Sequence, residues 1–317
     1  MIKTDRVQFT TEYGVSYLGK CEDIIKEYIA EKEFRKVDLL FTSPPFPLNR
    51  AKKYGNMTGD EYIEWMRQLA GIFKEILADD GSIVMELGNA WEKGNPIQSL
   101  LPIQSLMTFL EAGEFYLCQE FIHYNPAKLP TPVEWVNKER CRVKDSFTRI
   151  WWMSKSPKPK ANNKNVLVPY SRRMEKLLER QSYNSGRRPS EHVIGDKSFN
   201  TDNGGAIPSN LIWAANTSSN DKYLLYCKEK GLDIHPARMP QEIPEFFIKF
   251  LTDEGDLVLD PFAGSNTTGS VCEKLKRNWI AIEAEGKYIK GSIGRFEQDQ
   301  VKKNSIDNHS GAAENNA

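Results

Sequence analysis

A short apolar run closed by prolines stands near the start of the chain: Val37-Asp38-Leu39-Leu40-Phe41-Thr42-Ser43-Pro44-Pro45-Phe46-Pro47. Residues 37–42 have the length and the aliphatic content of a buried strand. Three prolines within the next five positions end that strand, because proline lacks the amide hydrogen that a sheet requires. The run therefore predicts a strand that stops abruptly and leads into a stiff loop.

The residues that follow predict a parallel sheet. Apolar side chains recur with helical period over residues 59–77, Asp80-Gly81 predicts a turn, and residues 82–87 form a second apolar run. Strand, helix and strand at this spacing predict a βαβ unit, in which the two strands are parallel. Two further strand-like runs cover residues 115–124 and 146–153. The fold class is therefore α/β.

The same kind of order returns late in the chain. Residues 245–251 predict a helix, 256–260 a buried strand, 267–275 a helix and 279–283 another strand. We expect a catalytic-type sheet domain in two parts, residues 1–154 and 227–298, separated by a loop-rich lobe at residues 155–226. Residues 299–317, rich in Asn, Ser, Gly and Ala, predict a disordered tail.

The charges of the chain are segregated along the sequence. The 317 residues have a formal net charge of zero, since 43 Lys and Arg balance 43 Asp and Glu. Residues 138–192 nevertheless hold 15 basic and five acidic side chains, a charge of +10, and the remainder carries −10. Such segregation predicts a surface that meets a polyanion.

Several classes of protein are excluded by composition. No apolar run approaches the ~18–20 residues that cross a bilayer, and no signal peptide opens the chain, so we expect a cytoplasmic protein without membrane contact. The five cysteines are scattered, with no Cys-x-x-Cys pair, which predicts reduced thiols and no metal site. They are Cys21, Cys118, Cys141, Cys227 and Cys272.

The loop after the late strand predicts a nucleotide site. Asp260 ends the strand, the loop contains Gly264, and Glu283 ends the next strand, where a carboxylate can accept both ribose hydroxyls. The chain lacks G-x-G-x-x-G at this loop, and bulky Phe262 stands where a pyrophosphate would need the backbone close. A nucleoside without phosphates, S-adenosylmethionine, fits better. An ordinary strand–turn–helix remains the alternative.

Ser43-Pro44-Pro45-Phe46 lies at the carboxyl end of a parallel strand, where α/β sheets bind their ligands. The Ser43 hydroxyl and the Pro44 carbonyl are suited to accept hydrogen bonds from an exocyclic amine, and Phe46 offers a ring for a planar base. Such acceptors make the amine nitrogen more tetrahedral and direct its lone pair at a methyl donor. A rigid Pro-Pro turn is the alternative for the motif alone.

Together these segments resemble a known family. Ser43-Pro44-Pro45-Phe46 is similar to motif IV of the amino-DNA methyltransferases, and Asp260–Ser265 is similar to their motif I. Motif IV precedes motif I, which is the permuted order of the beta group, and residues 235–240 resemble the entry to motif X. Nearly the whole chain, about residues 13–298, resembles the cytosine-N4 DNA methyltransferases of PvuII-type restriction–modification systems.

The resemblance implies a fold, a cofactor and a partner. It implies the S-adenosylmethionine-dependent methyltransferase (Rossmann-like) fold, a mostly parallel seven-stranded sheet with an inserted target-recognition lobe. S-adenosylmethionine would be the methyl donor and double-stranded DNA the partner, without a metal. A cognate restriction endonuclease would be a functional rather than a physical partner, and we expect a monomer. Cofactor contacts would come from Asp260, Pro261, Phe262, Ala263, Gly264, Ser265, Asn266, Thr267, Glu283, His235 and Pro236.

Serine at the first position of motif IV and phenylalanine at the fourth favour cytosine N4 as the target, with catalysis assigned to Ser43, Pro44, Pro45 and Phe46. Adenine N6 remains an alternative, as does a catalytically silent DNA-binding homologue. Methylation at cytosine C5 needs a cysteine nucleophile, typically after a proline, and no cysteine here follows one.

Six basic side chains are predicted to contact DNA. Lys52 and Lys53 follow motif IV and would close over a displaced strand. Four arginines of the basic lobe would bind guanine or phosphates: Arg172, Arg173, Arg187 and Arg188. One position departs from the family, because Lys20 stands where an acidic residue usually approaches the cofactor.

Overall fold

The computed structural model of the protein describes residues 4–31, 34–46, 59–195, 199–216, 221–297 and 301–303. The described residues of Met1–Lys160 and Asn210–Ala317 form one compact unit, here called the sheet unit. Ala161–Ser209 form a second, here called the inserted unit. Within the described ranges, no helix combines the length and the apolar character that crossing a bilayer requires.

The described strands are β1 (Val7–Thr10), β2 (Gly14–Leu18), β3 (Val37–Thr42), β4 (Leu77–Leu87), β5 (Tyr116–Tyr124), β6 (Phe147–Ser154), β7 (Gly186–Arg187), β8 (Val193–Ile194), β9 (Leu211–Trp213), β10 (Leu257–Asp260), β11 (Asn278–Glu283) and β12 (Lys302–Lys303). The described α-helices are α1 (Cys21–Ile29), α2 (Gly59–Ile76), α3 (Leu101–Gly113), α4 (Arg172–Arg180), α5 (Lys222–Lys230), α6 (Glu242–Leu251), α7 (Thr267–Lys274) and α8 (Gly286–Ser292).

A ten-stranded sheet forms the centre of the sheet unit, in the order β12-β1-β2-β11-β10-β3-β4-β6-β5-β9. Within this order, the five strands from β2 to β4 are parallel to one another. Strand β1 is antiparallel to β2, and β6 is antiparallel to both β4 and β5. The predicted α/β class and the mostly parallel sheet are confirmed. The count of seven strands that the family resemblance implies is not exact, because the described sheet has ten strands.

Two apolar layers cover the sheet because alternate side chains of each strand point to opposite faces. In the central strands, Leu40 and Leu259 face the layer that contains α1, α2 and α3. Their neighbours Phe41 and Val258 face the layer that contains α6, α7 and α8. The near-continuous apolar sequence of β3 follows from this burial on both faces.

The predicted elements of the first βαβ unit differ from the structure at one point. Strand β4 begins at Leu77, directly after α2, so that Asp80-Gly81 lies inside the strand and not in a turn before it. The pairing of β3 with β4 steps from Val37–Leu77 to Leu39–Ser82, so the intervening residues of β4 bulge out of the ladder. A bulge and a turn share the same local sequence preferences, which explains the difference.

The inserted unit is shorter than the predicted lobe of residues 155–226. Ion pairs of Lys155 with Asp79 (3.0 Å) and of Lys160 with Asp256 (2.6 Å) hold the first six of those residues to the sheet unit. At the other end, β9 pairs with β5. Of the predicted tail, residues 302–303 pair with β1, and residues 299, 300 and 304–317 lie outside the described residues.

A buried ionic cluster joins β9 to the rest of the sheet. The carboxylate of Glu86 on β4 accepts hydrogen bonds from His123 Nδ1 (2.9 Å) and Thr148 Oγ1 (2.5 Å). His123 Nε2 donates to the carbonyl of Ala214, next to β9, at 3.1 Å. Both ring nitrogens therefore face oxygen acceptors, an arrangement that favours the protonated imidazole. Burial lowers the pKa of His123, but the hydrogen bond and charge of Glu86 outweigh it and raise the pKa above 6.5.

We expect His123→Asn to destabilise the protein by about 3 kcal/mol at pH 6, because it leaves a buried carboxylate without its cation. A histidine whose folded pKa is raised stabilises the fold fully below its unfolded pKa of about 6.5. That stabilisation is lost as the pH rises through the folded value. The difference between wild type and variant in urea denaturation should therefore shrink from pH 6 to pH 9.

The matched control for this experiment is His192→Asn, since His192 is an exposed histidine of the inserted unit. Its effect on the free energy of unfolding should be small at every pH. A His123→Asn difference that does not change with pH would contradict the ion pair.

Candidate active site

The two predicted motifs leave adjacent strands at the same edge of the sheet. Strands β3 and β10 pair in parallel, with Leu39 opposite Val258 and Leu40 opposite Leu259. Just beyond this pairing, Thr42 Oγ1 donates to Asp260 Oδ1 at 3.4 Å. Helix α2 follows β3 into one layer and helix α7 follows β10 into the other. A crevice opens where connections part in this way, the usual ligand site of α/β sheets.

The loop after β3 is held at two points. The Pro45 carbonyl accepts a hydrogen bond from the hydroxyl of buried Tyr62 on α2, at 2.9 Å. The ring of Phe46 packs on Gly88, where a Cβ atom would lie 2.6 Å from the ring. No described residue forms a hydrogen bond with the Ser43 hydroxyl, which is half-buried beside buried Pro44. The loop is therefore fixed, and the hydroxyl remains available to a substrate.

Helix α2 also contacts the loop after β10. The indole of Trp65 packs edge-on against Phe262, with 5.6 Å between ring centroids. Its Nε1 donates to Glu22 Oε1 at 2.7 Å, which fixes the orientation of the indole. The sequence marked Trp65 only as part of the apolar stripe of the helix. It gave no signal that Tyr62 and Trp65 support both predicted motifs.

Asp260 closes the turn between β10 and α7. Its buried carboxylate accepts hydrogen bonds from Thr268 Oγ1 (2.6 Å) and from the Phe262 amide (3.1 Å). Burial raises the pKa of Asp260 to about 6, although these hydrogen bonds act in the opposite direction. The carboxylate therefore organises the loop from beneath.

Glu283 lies beside the same loop. Its carboxylate accepts hydrogen bonds from the amides of Gly264 (2.8 Å) and Glu285 (2.9 Å), and burial raises its pKa. Gly264 has a positive φ of 51°, and a Cβ atom there would lie 3.0 Å from the ring of His235. Glycine is therefore required at position 264 by both backbone conformation and space.

Asn266 begins α7 in the left-handed conformation, with φ of 54°. Its Oδ1 accepts a hydrogen bond from the Gly269 amide at 3.0 Å, and its buried Nδ2 has no partner among the described residues. A buried donor without a partner is rare and indicates a place for an acceptor. With the carboxylate of Glu283 and the N-terminus of α7, this donor fits a nucleoside cofactor that carries a carboxylate, which a loop serving only packing would not require.

His235 reaches this loop from the segment before α6. Its Nδ1 donates to the Ala237 carbonyl at 2.7 Å, and its ring packs edge-on against Tyr288 at 4.5 Å. Burial lowers the pKa of His235, so the imidazole is neutral. His235 therefore lies beside Gly264 of this loop, and Pro236 follows as an exposed residue.

The remaining predicted residues of the loop are placed as follows. The Ala263 amide donates to the Ile282 carbonyl at 2.9 Å, which ties the loop to β11, and Pro261 is buried beside it. Ser265 and Thr267 are buried, with 3.4 Å between their hydroxyl oxygens. Lys20 is exposed directly before α1 and its side chain does not cap that helix.

The predicted DNA-contacting residues fall into three groups. Lys52 and Lys53 lie outside the described residues. Arg172 and Arg173 are exposed at the start of α4. The other two arginines have local partners, since Arg187 pairs with Glu191 at 3.4 Å and Arg188 donates to the Asn184 carbonyl at 2.7 Å.

The basic stretch of residues 138–192 is partly neutralised by acids from outside it. In the sheet unit, four of its cations form such ion pairs, within 3.3 Å. These pairs are Lys138–Glu134, Arg149–Glu120, Lys155–Asp79 and Lys160–Asp253. No cluster of three or more His, Cys, Asp or Glu side chains suited to a metal ion occurs in the part of the chain that the structure describes.

Comparison with known proteins agrees with this geometry. Residues 37–294 match the family model described as DNA methylase. The Type II methyltransferase M.PvuII of Proteus hauseri is 43% identical over 300 residues, which cover 94% of this chain and 88% of the relative. A solved PvuII DNA methyltransferase, described as cytosine-N4-specific, superposes with a TM-score of 0.72 at 37% identity and covers 91% of this chain and 88% of its own.

A more distant solved structure shows the fold alone. A DNA modification methylase of Thermus thermophilus has 16% identity and a TM-score of 0.53 over 90% of this chain and 95% of its own. The resemblance and the methyltransferase fold predicted from the sequence are thereby confirmed. The chain belongs to the DNA methylase family.

Proposed function

We propose that the protein transfers a methyl group from S-adenosylmethionine to the exocyclic N4 amine of a cytosine flipped out of double-stranded DNA. The observation that carries the proposal is the meeting of Ser43–Phe46 and Asp260–Thr267 at one sheet edge, joined by the hydrogen bond from Thr42 to Asp260. Two similar proteins support the choice of chemistry, since one is named as a Type II methyltransferase and the other as cytosine-N4-specific.

The residues of the second loop, which follows β10 and covers positions 261–267, would hold the cofactor. S-adenosylmethionine, when bound, supplies a methyl group already activated on sulfonium. Glu283 has the position at the end of β11 from which a carboxylate accepts ribose hydroxyls. The unpartnered amide of Asn266 and the N-terminus of α7 are suited to a carboxylate, because both present hydrogen-bond donors.

The residues of the first loop, which follows β3 and covers positions 43–46, would bind and orient the base. The Ser43 hydroxyl and the Pro44 carbonyl accept hydrogen bonds from the amine, and the ring of Phe46 supports the base. Tyr62 and Gly88 hold this loop still, so the amine meets acceptors that are already in place. After methyl transfer the nitrogen carries a positive charge, which the same two oxygens stabilise until its proton leaves.

The inserted unit would contact DNA through α4. The apolar side chains of this helix are half-buried, and its basic side chains are exposed within an arc of about 100°. The four basic residues are Arg172, Arg173, Lys176 and Arg180, and they form no ion pair with any described residue. A helix of this width fits the major groove, where such side chains reach phosphates and base edges. Arg187 and Arg188, which have local partners, would contact phosphates.

Several finer assignments complete the proposal. Lys52 and Lys53 would clamp the DNA beside the flipped base. A cognate restriction endonuclease would be a functional, not a physical, partner. We propose a monomer that acts in the cytoplasm. Adenine N6 is the second candidate target, because N6 and N4 amines present the same chemistry to Ser43 and Pro44.

The function is tested by methyl transfer from labelled S-adenosylmethionine to unmethylated plasmid DNA, followed by digestion to nucleosides and mass spectrometry. We expect N4-methylcytosine to be the labelled product. Label in N6-methyladenine would assign the second target, and no label above background would leave a catalytically silent DNA-binding protein. Equal labelling of RNA would contradict the proposed substrate.

Ser43→Ala should lower kcat about a hundredfold or more, because the substitution removes one of two acceptors for the amine. The affinity for S-adenosylmethionine should stay within about twofold, since the Ser43 hydroxyl forms no hydrogen bond with a described residue of the loop after β10. Single-turnover methylation and equilibrium dialysis measure the two quantities separately. Equal losses in both would contradict the role assigned to Ser43.

Replacing Arg172 and Arg173 together by alanine should weaken DNA binding. The slope of the logarithm of the association constant against the logarithm of the salt concentration should become shallower by about two, as expected when two phosphate contacts are lost. Fluorescence anisotropy across a salt series measures the slope. The matched control is Glu175→Gln with Glu179→Gln on the same helix, which should leave the slope unchanged. If the control shifts the slope by as much in the opposite direction, net charge rather than contact explains the effect.

A further inference from the structure

A buried arginine outside the predicted motifs holds the centre of the second loop. Arg295 lies in the short turn of 3-10 helix after α8, and its side chain is 8% exposed. Its Nε donates to the Ser265 carbonyl at 2.6 Å, and its Nη2 donates to the Ser265 hydroxyl at 2.8 Å. One guanidinium therefore occupies both the backbone and the side-chain acceptor of one loop residue.

Ser265 lies between two residues with left-handed backbone. Its neighbours Gly264 and Asn266 both have positive φ, at 51° and 54°. Glycine adopts this conformation without cost, and asparagine adopts it more readily than most other residues. The carbonyl that Arg295 binds belongs to the peptide group that leads into Asn266. Arg295 thus fixes the orientation of the peptide between the two left-handed residues.

The other side of the guanidinium is anchored on α5. Nη1 of Arg295 lies 3.4 Å from Asp221 Oδ2, and the guanidinium carbon lies 4.8 Å above the ring of Tyr223. Burial lowers the pKa of Arg295 and Asp221 opposes this, so the group stays charged. The Tyr223 hydroxyl in turn accepts a hydrogen bond from the amide of His235 at 2.7 Å. Arg295 is therefore linked to both segments that would face the cofactor.

We propose that Arg295 is a positioning residue for cofactor binding, which acts by holding Ser265 and thereby the amides and side chains of the 261–267 loop. This inference rests on the proposed function, because it takes S-adenosylmethionine as the ligand of that loop. We expect Arg295 itself to contact neither the cofactor nor the base. Its effect is on affinity for the cofactor and not on the methyl-transfer step.

Arg295→Ala should raise the Kd for S-adenosylmethionine about ten- to a hundredfold, measured by isothermal titration calorimetry without DNA, since two hydrogen bonds from a charged donor are lost. At saturating cofactor, kcat should stay within about threefold. Arg295→Lys should give an intermediate loss, because an ammonium keeps the charge beside Asp221 but lacks the planar fork. If circular dichroism shows that the alanine variant is unfolded, the Kd of Arg295→Lys tests the proposal instead.

The matched control is Lys222→Ala. Lys222 pairs with Glu297 at 2.6 Å and so links the start of α5 to the residues just after the same turn. It should leave the Kd within about twofold. Equal Kd values for Arg295→Ala and wild type, or equal losses in Arg295→Ala and Lys222→Ala, would overturn the role of Arg295. A wild-type protein that binds no S-adenosylmethionine would instead overturn the proposed function.

Discussion

The parallel pairing of β3 with β10 is the constraint on which the rest of the site depends. It brings Thr42 within hydrogen-bonding distance of Asp260, although 218 positions separate them in the chain. Closing so long a connection costs little more than closing a short one, because the entropy of loop closure grows only with the logarithm of length. The burial of both strands on both faces offsets that cost. The order of the two motifs along the chain can therefore be permuted without changing the edge at which they meet.

The loop after β10 is built around buried carboxylates, and this determines how it must be supported. Burial raises the pKa of both Asp260 and Glu283, so each ionised carboxylate needs hydrogen bonds to remain charged. Amides of the loop itself supply them, together with the hydroxyl of Thr268. The backbone that presents these amides then turns through left-handed residues. Arg295 holds the loop after β10 through Ser265, and Tyr62 holds the loop after β3 through the Pro45 carbonyl.

The parts of this site that the sequence predicted are those with a local cause. The stop of β3, the turn after β10 and the acid at the end of β11 follow from residues within a few positions of each other. Tyr62, Trp65 and Arg295 were not predicted, because each is identified only by a partner far away in the chain. Strands β1, β2, β9 and β12 were not predicted from the sequence either, because each has no more than five residues and so gives little local signal.

The charge pattern along the sequence also does not by itself predict the charge of the folded surface. A run of +10 in the sequence becomes a charged surface only where its acids and bases remain apart in space. In the sheet unit, Glu120, Asp79 and Asp253 fold back onto basic residues of that run. In the inserted unit, α4 keeps four cations without such partners among the described residues.

The inserted unit also contributes no strand to the ten-stranded sheet within the part of the chain that the structure describes. Its strands β7 and β8 pair only with each other. A substitution in α4 or in this hairpin therefore leaves the register of β3 and β10 unchanged, and with it the meeting of Thr42 and Asp260. The sequence of the inserted unit is free to vary with the DNA it would contact, because the edge at which Thr42 meets Asp260 is formed by strands of the sheet unit.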